Sequence, residues 1–92
     1  MKVRYLNSFI RTFDSLAAQD RAKTTRIISD LLNFLEKKIR PSGGTGLKKL
    51  RGNLWEVRID IRKRVIFTLS PGLISFVLIG SHDEIRKYLK EL

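Results

Sequence analysis

The apolar residues of this 92-residue chain change their spacing once, at Pro41-Ser42-Gly43-Gly44-Thr45-Gly46. Ahead of that segment, beyond a short alternating start, they recur every three or four residues; after it they alternate. A stripe at period 3.6 belongs to a helix with one buried face, and alternation belongs to a strand with one covered side. A chain carrying both patterns in separate blocks is held to the α+β class, with helices segregated on a sheet.

Lys2 to Leu6 alternates, with Val3 and Tyr5 on one side, and reads as a short strand. Asn7 or Ser8 offers an N-cap for a first helix, in which Ile10, Phe13, Leu16 and Ala17 form one stripe. Gln19-Asp20 interrupts it, and Asp20 can cap a longer helix with a wide apolar face of Ile27, Ile28, Leu31, Leu32, Phe34, Leu35 and Ile39. So short a join predicts a helical hairpin. The Pro41–Gly46 segment reads as an internal loop, because the residues on either side are too few for separate domains.

Beyond the loop, Leu54 to Asp60 puts Trp55, Val57 and Ile59 on one face and Glu56, Arg58 and Asp60 on the other. Arg64 to Leu69 turns Val65, Phe67 and Leu69 inward and Arg64 outward. Leu73 to Ile79 is nearly all apolar, as in a central strand covered on both faces. Ser70-Pro71-Gly72 supplies the turn between these two strands. His82 to Leu92, with Ile85, Tyr88 and Leu89 at helical spacing, closes the chain as a helix. The expected fold is one α+β domain over residues 1–92, ordered β-α-α-β-β-β-α. Its helical hairpin packs on one face of a small, mainly antiparallel twisted sheet.

Nineteen Lys and Arg against nine Asp and Glu give a formal charge of +10. Such a domain attracts polyanions in a salt-sensitive way: nucleic acid, an anionic membrane surface or an acidic protein. The basic residues fall mainly on strands and loops and not along one helix face, which argues against the membrane. Without cysteine there is neither a disulfide nor a thiolate metal site. The single His82 cannot build a zinc site without several carboxylates, so no metal or cofactor is expected. The start of the chain is unlike a signal peptide, and no apolar run approaches the roughly 20 residues of a membrane span. The cytoplasm is the expected address.

Burying the helical stripes against one sheet face leaves the other for polar work, and that face carries Glu56, Arg58 and Arg64. Basic residues in mid-strand oppose strand propensity. A cluster of Arg58, Arg62, Lys63 and Arg64, with Lys48, Lys49 and Arg51 arriving from the loop side, points to a phosphate-binding surface more than to a solvated face. Glu56 and Asp60 taken alone fit a solvated face, and Trp55, sharing a side with Val57 and Ile59, fits core packing.

The run Leu47-Lys48-Lys49-Leu50-Arg51-Gly52-Asn53-Leu54-Trp55-Glu56-Val57-Arg58-Ile59 resembles a signature of the RelE/ParE toxin superfamily. That family has a Lys-Leu-Arg-Gly-like turn, then an aromatic residue and alternating basic residues on the next strand. Arg64-Val65-Ile66-Phe67 resembles its Arg-Leu-Val-Tyr strand, and Ile79-Gly80-Ser81-His82 the Val-Gly-basic-basic end of its last strand. The resemblance covers almost the whole chain and rests on the ordered combination. It implies the toxin of a type II toxin–antitoxin system on the RelE side, a metal-independent endoribonuclease (mRNA interferase). Such toxins cut mRNA in the ribosomal A site by attack of a ribose 2′-OH on the adjacent phosphate, and so inhibit translation. The implied partners are the ribosome with its mRNA and a cognate antitoxin, acidic, partly disordered and in a separate chain. The toxin would be a monomer when free and part of a hetero-oligomer with the antitoxin.

Residue by residue, Arg64 matches the family's transition-state arginine. Arg58 falls at a strand lysine and Arg51 at the turn arginine, both gripping RNA phosphates; Lys48, Lys49 and Arg62 extend that RNA-binding surface. His82 lies where the RelE side has arginine and some relatives use a histidine as acid or base. Histidines exchange protons near neutral pH, so His82 is a candidate acid or base; its alternative is a neighbour of the last helix's N-cap with no chemistry. Glu56, where the RelE side has lysine, is a candidate base or a group orienting Arg58. Arg86 stands at the place of the family tyrosine and Tyr88 two residues beyond, so Tyr88 is either a base-stacking residue or core. Two other functions fit the same sequence: a ParE-like inhibitor of DNA gyrase with no nuclease activity, and a non-enzymatic basic RNA-binding module. The retained Arg64 and His82 favour the RelE side.

Overall fold

The alternating half of the chain folds into a meander of strands, and the N-terminal strand joins it from the other end. The structure, a computed structural model, describes residues 1–37 and 46–91. In chain order the elements are β1 (Lys2–Tyr5), α1 (Asn7–Asp14), α2 (Ala18–Lys37), β2 (Leu47–Arg51), β3 (Leu54–Arg58), β4 (Arg64–Ser70), β5 (Leu73–Gly80) and α3 (His82–Lys90). One sheet runs in the order β1-β5-β4-β3-β2; β1 lies parallel to β5 and every other pair is antiparallel.

The α+β class and the helical hairpin are as expected, with one strand more. Leu47–Arg51, expected as part of the loop side, is the edge strand β2. Its two apolar residues, Leu47 and Leu50, pack on opposite faces of the sheet and so leave no alternating stripe to read. At the other end of that hairpin β3 stops at Arg58, short of the expected Asp60. The Asp60 carboxylate accepts the backbone N–H of Arg62 at 2.8 Å and of Lys63 at 2.9 Å, and turns the chain.

The main core lies between the sheet and the α1–α2 hairpin, where Val57, Val65, Phe67, Ile74, Phe76 and Ile79 meet Phe9, Ile28 and Leu31. Phe67 and Phe76 are fully buried, each worth roughly 1.5–3 kcal/mol against exposure. Trp55 packs against this core, as expected. In β5 the pairing slips between Ile66↔Leu78 and Phe67↔Phe76, so Val77 is one residue extra. That bulge reverses the alternation: Ile74 and Phe76 face the hairpin before it and Ile79 after it, while Val77 packs on the opposite face. The strand is covered on both faces, as its composition predicts.

The helix ends depart from expectation. Leu6 occupies the N-cap of α1 without a side-chain bond, and the Ser8 hydroxyl instead donates to Val77 O, tying α1 to β5. Phe9 is the buried residue of α1, whereas Ile10 is 44% exposed. Helix α2 starts at Ala18, so Asp20 sits inside its first turn, where a carboxylate favours the helix dipole. Ile39 and residues 41–45 of the expected loop lie outside the described residues. Helix α3 begins with a capping box: Glu84 N–H donates to Ser81 Oγ at 3.2 Å, and Ser81 N–H donates to Glu84 Oε1 at 2.9 Å. Through Ile85 it packs on Leu54, Ile66 and Val77, on the sheet face opposite the hairpin. Among the described residues no helix is long and apolar enough to cross a membrane.

Candidate active site

Strand alternation sends Lys48 and Leu50 of β2, Glu56 and Arg58 of β3 and Arg64 of β4 to the face that α3 only partly covers. Docked by Ile85, α3 adds His82, Arg86 and Leu89, and these nine residues line a cleft of about 150 Å³. Two cross-strand rows form its floor: Arg58 opposite Arg64, which is opposite Gly80, and Lys48 opposite Glu56, which is opposite Ile66. Directly opposed arginines repel, which is tolerable where an anion is to be held between them.

Glu56 is the one acid among them. Its Oε1 lies 3.6 Å from Arg64 Nε, with the two side chains 12% and 18% exposed, the most enclosed ion pair among the described residues. At that length it is an ion pair and not a charge-assisted hydrogen bond. Among the described residues no hydrogen bond is formed by the side chains of Lys48, Arg58, Arg64 or Arg86. Four cations against one carboxylate leave the cleft with three positive charges, His82 counted neutral. Apolar Leu50, Ile85 and Leu89 complete the wall. His82 is exposed at the first position of α3, beside the Ser81 cap, and lines the cleft from there. The Ser81 backbone N–H, then its hydroxyl, hold the Glu84 carboxyl below its ordinary range.

Of the sequence candidates, Lys48, Glu56, Arg58, Arg64 and His82 share this cleft, and four stand elsewhere. Glu56 pairs with Arg64, where the sequence suggested Arg58. Arg51 donates from Nη2 to Leu89 O at 2.7 Å, on the last turn of α3. Lys49 lies on the hairpin side, its Nζ 5.9 Å from the Trp55 ring centroid. Arg62 belongs to the β3–β4 turn and lines a separate hollow with Asp20, Lys23, Asp60, Ile61 and Lys63. Tyr88 packs with the α3 core. Sequence reasoning missed Leu50 and Leu89 as lining residues and named Arg86 only as a place-holder. The spacing of Ile85 and Leu89 on one helix face was the available signal for the wall. Among the described residues no group of three or more His, Cys, Asp or Glu could hold a metal ion.

Chemically, such a cleft can set guanidinium groups against the oxygens of one phosphodiester, with a carboxylate and an imidazole at hand to move protons.

No family model matches the sequence, and no curated protein matches it significantly. Solved structures do share the fold. A chain of the RelB–RelE antitoxin–toxin complex from Methanococcus jannaschii superposes with a TM-score of 0.70 at 16% identity, over 92% of this chain and 96% of that one. YafQ from E. coli strain BL21(DE3) gives 0.65 at 17% identity, over 91% and 96%. The YoeB dimer from Staphylococcus aureus gives 0.66 at 18%, over 89% and 97%. These neighbours are toxins of the RelE/ParE-like superfamily, and YafQ is also known in complex with DinJ. At such identities the likeness establishes the fold: three helices on an open five-stranded mixed sheet.

Proposed function

We propose that this chain is the toxin of a type II toxin–antitoxin pair, an endoribonuclease that cuts ribosome-bound mRNA and thereby stops translation. The observation that carries the reading is the convergence of Arg58, Arg64, Glu56 and His82 in one cationic cleft. The RelE-like fold adds to it, as does the pairing of several neighbours with antitoxins.

In this reading the scissile phosphate sits between Arg58 and Arg64. The ribose 2′-OH attacks phosphorus while its proton passes to the Glu56 carboxylate. The O2′–P bond forms and the P–O5′ bond breaks in line, and His82 protonates the departing 5′-oxygen. The products are a 2′,3′-cyclic phosphate and a free 5′-hydroxyl. Charge grows on the phosphorane as Glu56 becomes neutral, so Arg64 exchanges its partner for the developing dianion; a contact that strengthens in the transition state is one that accelerates. Lys48 and Arg86 hold neighbouring phosphates, and the Leu50–Leu89 wall faces a base. The antitoxin is an acidic, separate chain, in keeping with the +10 charge of this one. The site of action is the cytoplasm, where ribosomes are.

One observation favours a second reading, an RNA-binding module without chemistry: the Glu56–Arg64 pair partly satisfies the arginine on which catalysis depends. Three further cations in the cleft leave an anion site regardless. Expression from a tight promoter, with mRNA 5′ ends mapped by primer extension, separates the two. The wild type should give codon-phased cuts that Arg64→Ala and His82→Ala abolish. Absence of such cuts in the wild type sinks the nuclease reading, and early DNA damage with intact transcripts would indicate gyrase inhibition instead.

A further inference from the structure

Gly46 stands just before β2 and faces Arg58 across the ladder, its carbonyl accepting Arg58 N–H at 3.3 Å in continuation of the Leu47↔Val57 register. Its φ is +59°, a region that residues with a side chain seldom enter. A Cβ added there would lie 2.7 Å from Arg58 Cβ and 3.4 Å from Arg58 N. Opposed Cβ atoms in antiparallel sheets stand about 4.5–5.5 Å apart, so no ordinary pair of residues fits this approach. Gly52 and Gly72 also have positive φ, +55° and +72°, yet a Cβ on either meets nothing within 4 Å. Those two answer to backbone conformation alone; Gly46 answers also to a contact with a cleft arginine.

We infer that Gly46 is a positioning residue for the cleft: its missing side chain lets the start of β2 close over Arg58 Cβ and fixes the direction in which that side chain leaves β3. The inference rests on the nuclease reading, in which Arg58 grips the scissile phosphate beside Arg64. Arg58 Cβ is bonded to the strand backbone and cannot rotate away, so a Cβ at 46 displaces either β3 or the start of β2. Moving from 2.7 Å to ordinary contact at 3.4 Å takes 0.7 Å at the Cβ, and a shift of β3 carries the guanidinium with it. Misplacement by about 1 Å costs on the order of 10²-fold in rate.

Gly46→Asn tests this, because asparagine tolerates positive φ and so probes the contact and not the backbone conformation. Gly52→Asn is the control with similar φ and no contact. In a cell-free translation system, Gly46→Asn should cut mRNA about 10²-fold more slowly than both the wild type and Gly52→Asn. Combined with Arg58→Gly, which removes the opposing Cβ together with the guanidinium, it should add no further loss. Cutting at the rate of Gly52→Asn, or an equal added loss in the Arg58→Gly background, overturns the inference. If Gly46→Asn does not fold, adding Arg58→Gly should restore the thermal transition by removing the opposing Cβ; unfolding that Arg58→Gly leaves uncorrected also overturns it. A wild type that never cuts would instead sink the nuclease reading, and the thermal cycle with Arg58→Gly would still decide whether Gly46 and Arg58 are coupled.

Discussion

Glu56 and Arg64 sit diagonally across the β3–β4 ladder, the carboxylate Oε1 3.6 Å from the guanidinium Nε, because Glu56 is opposite Ile66 and Arg64 lies two residues before it. The pair meets Arg64 at Nε and is looser than a hydrogen bond, so the guanidinium is oriented without being consumed. Lysine in its place would be a point charge without the planar fork that matches two phosphate oxygens. Arg64→Lys is therefore expected to lose turnover almost as fully as Arg64→Ala, by about 10²–10³-fold in kcat, with ribosome binding retained. Single-turnover cleavage beside ribosome co-sedimentation reads both; a lysine variant of near wild-type turnover would show that charge alone suffices.

Glu56→Gln separates proton acceptance from orientation. The amide can still lie beside Arg64 but cannot take a proton. With the carboxylate gone the cleft rises from three positive charges to four, so RNA should bind more tightly while kcat falls by about 10²–10⁴-fold. Kinetics showing an unchanged kcat would remove Glu56 from the proton path and leave it an orienting group.

Phosphate gripping by Lys48, Arg58, Arg64 and Arg86 has a thermodynamic signature. Three neutralised phosphates on a single strand, the scissile one shared by Arg58 and Arg64, predict a slope of about −2.1 for log K against log salt, and Lys48→Ala should make it shallower by about 0.7. Titrating a fluorescent RNA oligonucleotide over a salt series measures it, and an unaltered slope in Lys48→Ala would place that lysine outside the contact.

Periodicity made legible those cleft residues whose side of the sheet it settles: Glu56, Arg58 and Arg64 share a face because β3 and β4 alternate strictly. It failed where a bulge or an edge broke the period. Strand β2 has only Leu47 and Leu50 as apolar markers, one on each face, and so read as loop. With the strand unseen, Lys48 and Lys49 looked equivalent, whereas neighbouring strand positions point apart: Lys48 enters the cleft and Lys49 crosses to Trp55. The contacts of Arg51 and Tyr88 depend on where α3 docks, which no local pattern encodes.

Arg51 illustrates the consequence. Its guanidinium bonds the Leu89 carbonyl in the last turn of α3, where a cation also favours the helix dipole. Arg51→Ala should fray that turn, lowering local stability by about 0.3–1 kcal/mol, and should leave RNA affinity nearly unchanged. Amide exchange along α3, compared with RNA titration, tests both halves. A large affinity loss with α3 exchange unaltered would return Arg51 to the RNA-binding surface.

Acid should loosen the β3–β4 turn and the start of α3 through identifiable carboxylates. Asp60 is held below its ordinary range chiefly by the backbone N–H of Arg62, with Lys63 N–H and the Lys23 charge adding to it; Glu84 is held down by the Ser81 N–H and hydroxyl. For both groups the folded pKa lies below the unfolded one. Above the unfolded value, about 4, their stabilisation is fully present. As pH falls through that value and on through the lowered folded one, the unfolded chain takes up protons first and the stabilisation is lost. Asp60→Asn and Glu84→Gln should each flatten this decline. Ser81→Ala should cost about 1 kcal/mol at neutral pH, because α3 loses its N-cap. Urea unfolding between pH 7 and pH 2 checks the assignment. A Glu84→Gln protein that declines with acid as steeply as the wild type would mean that Glu84 does not carry its share of the slope.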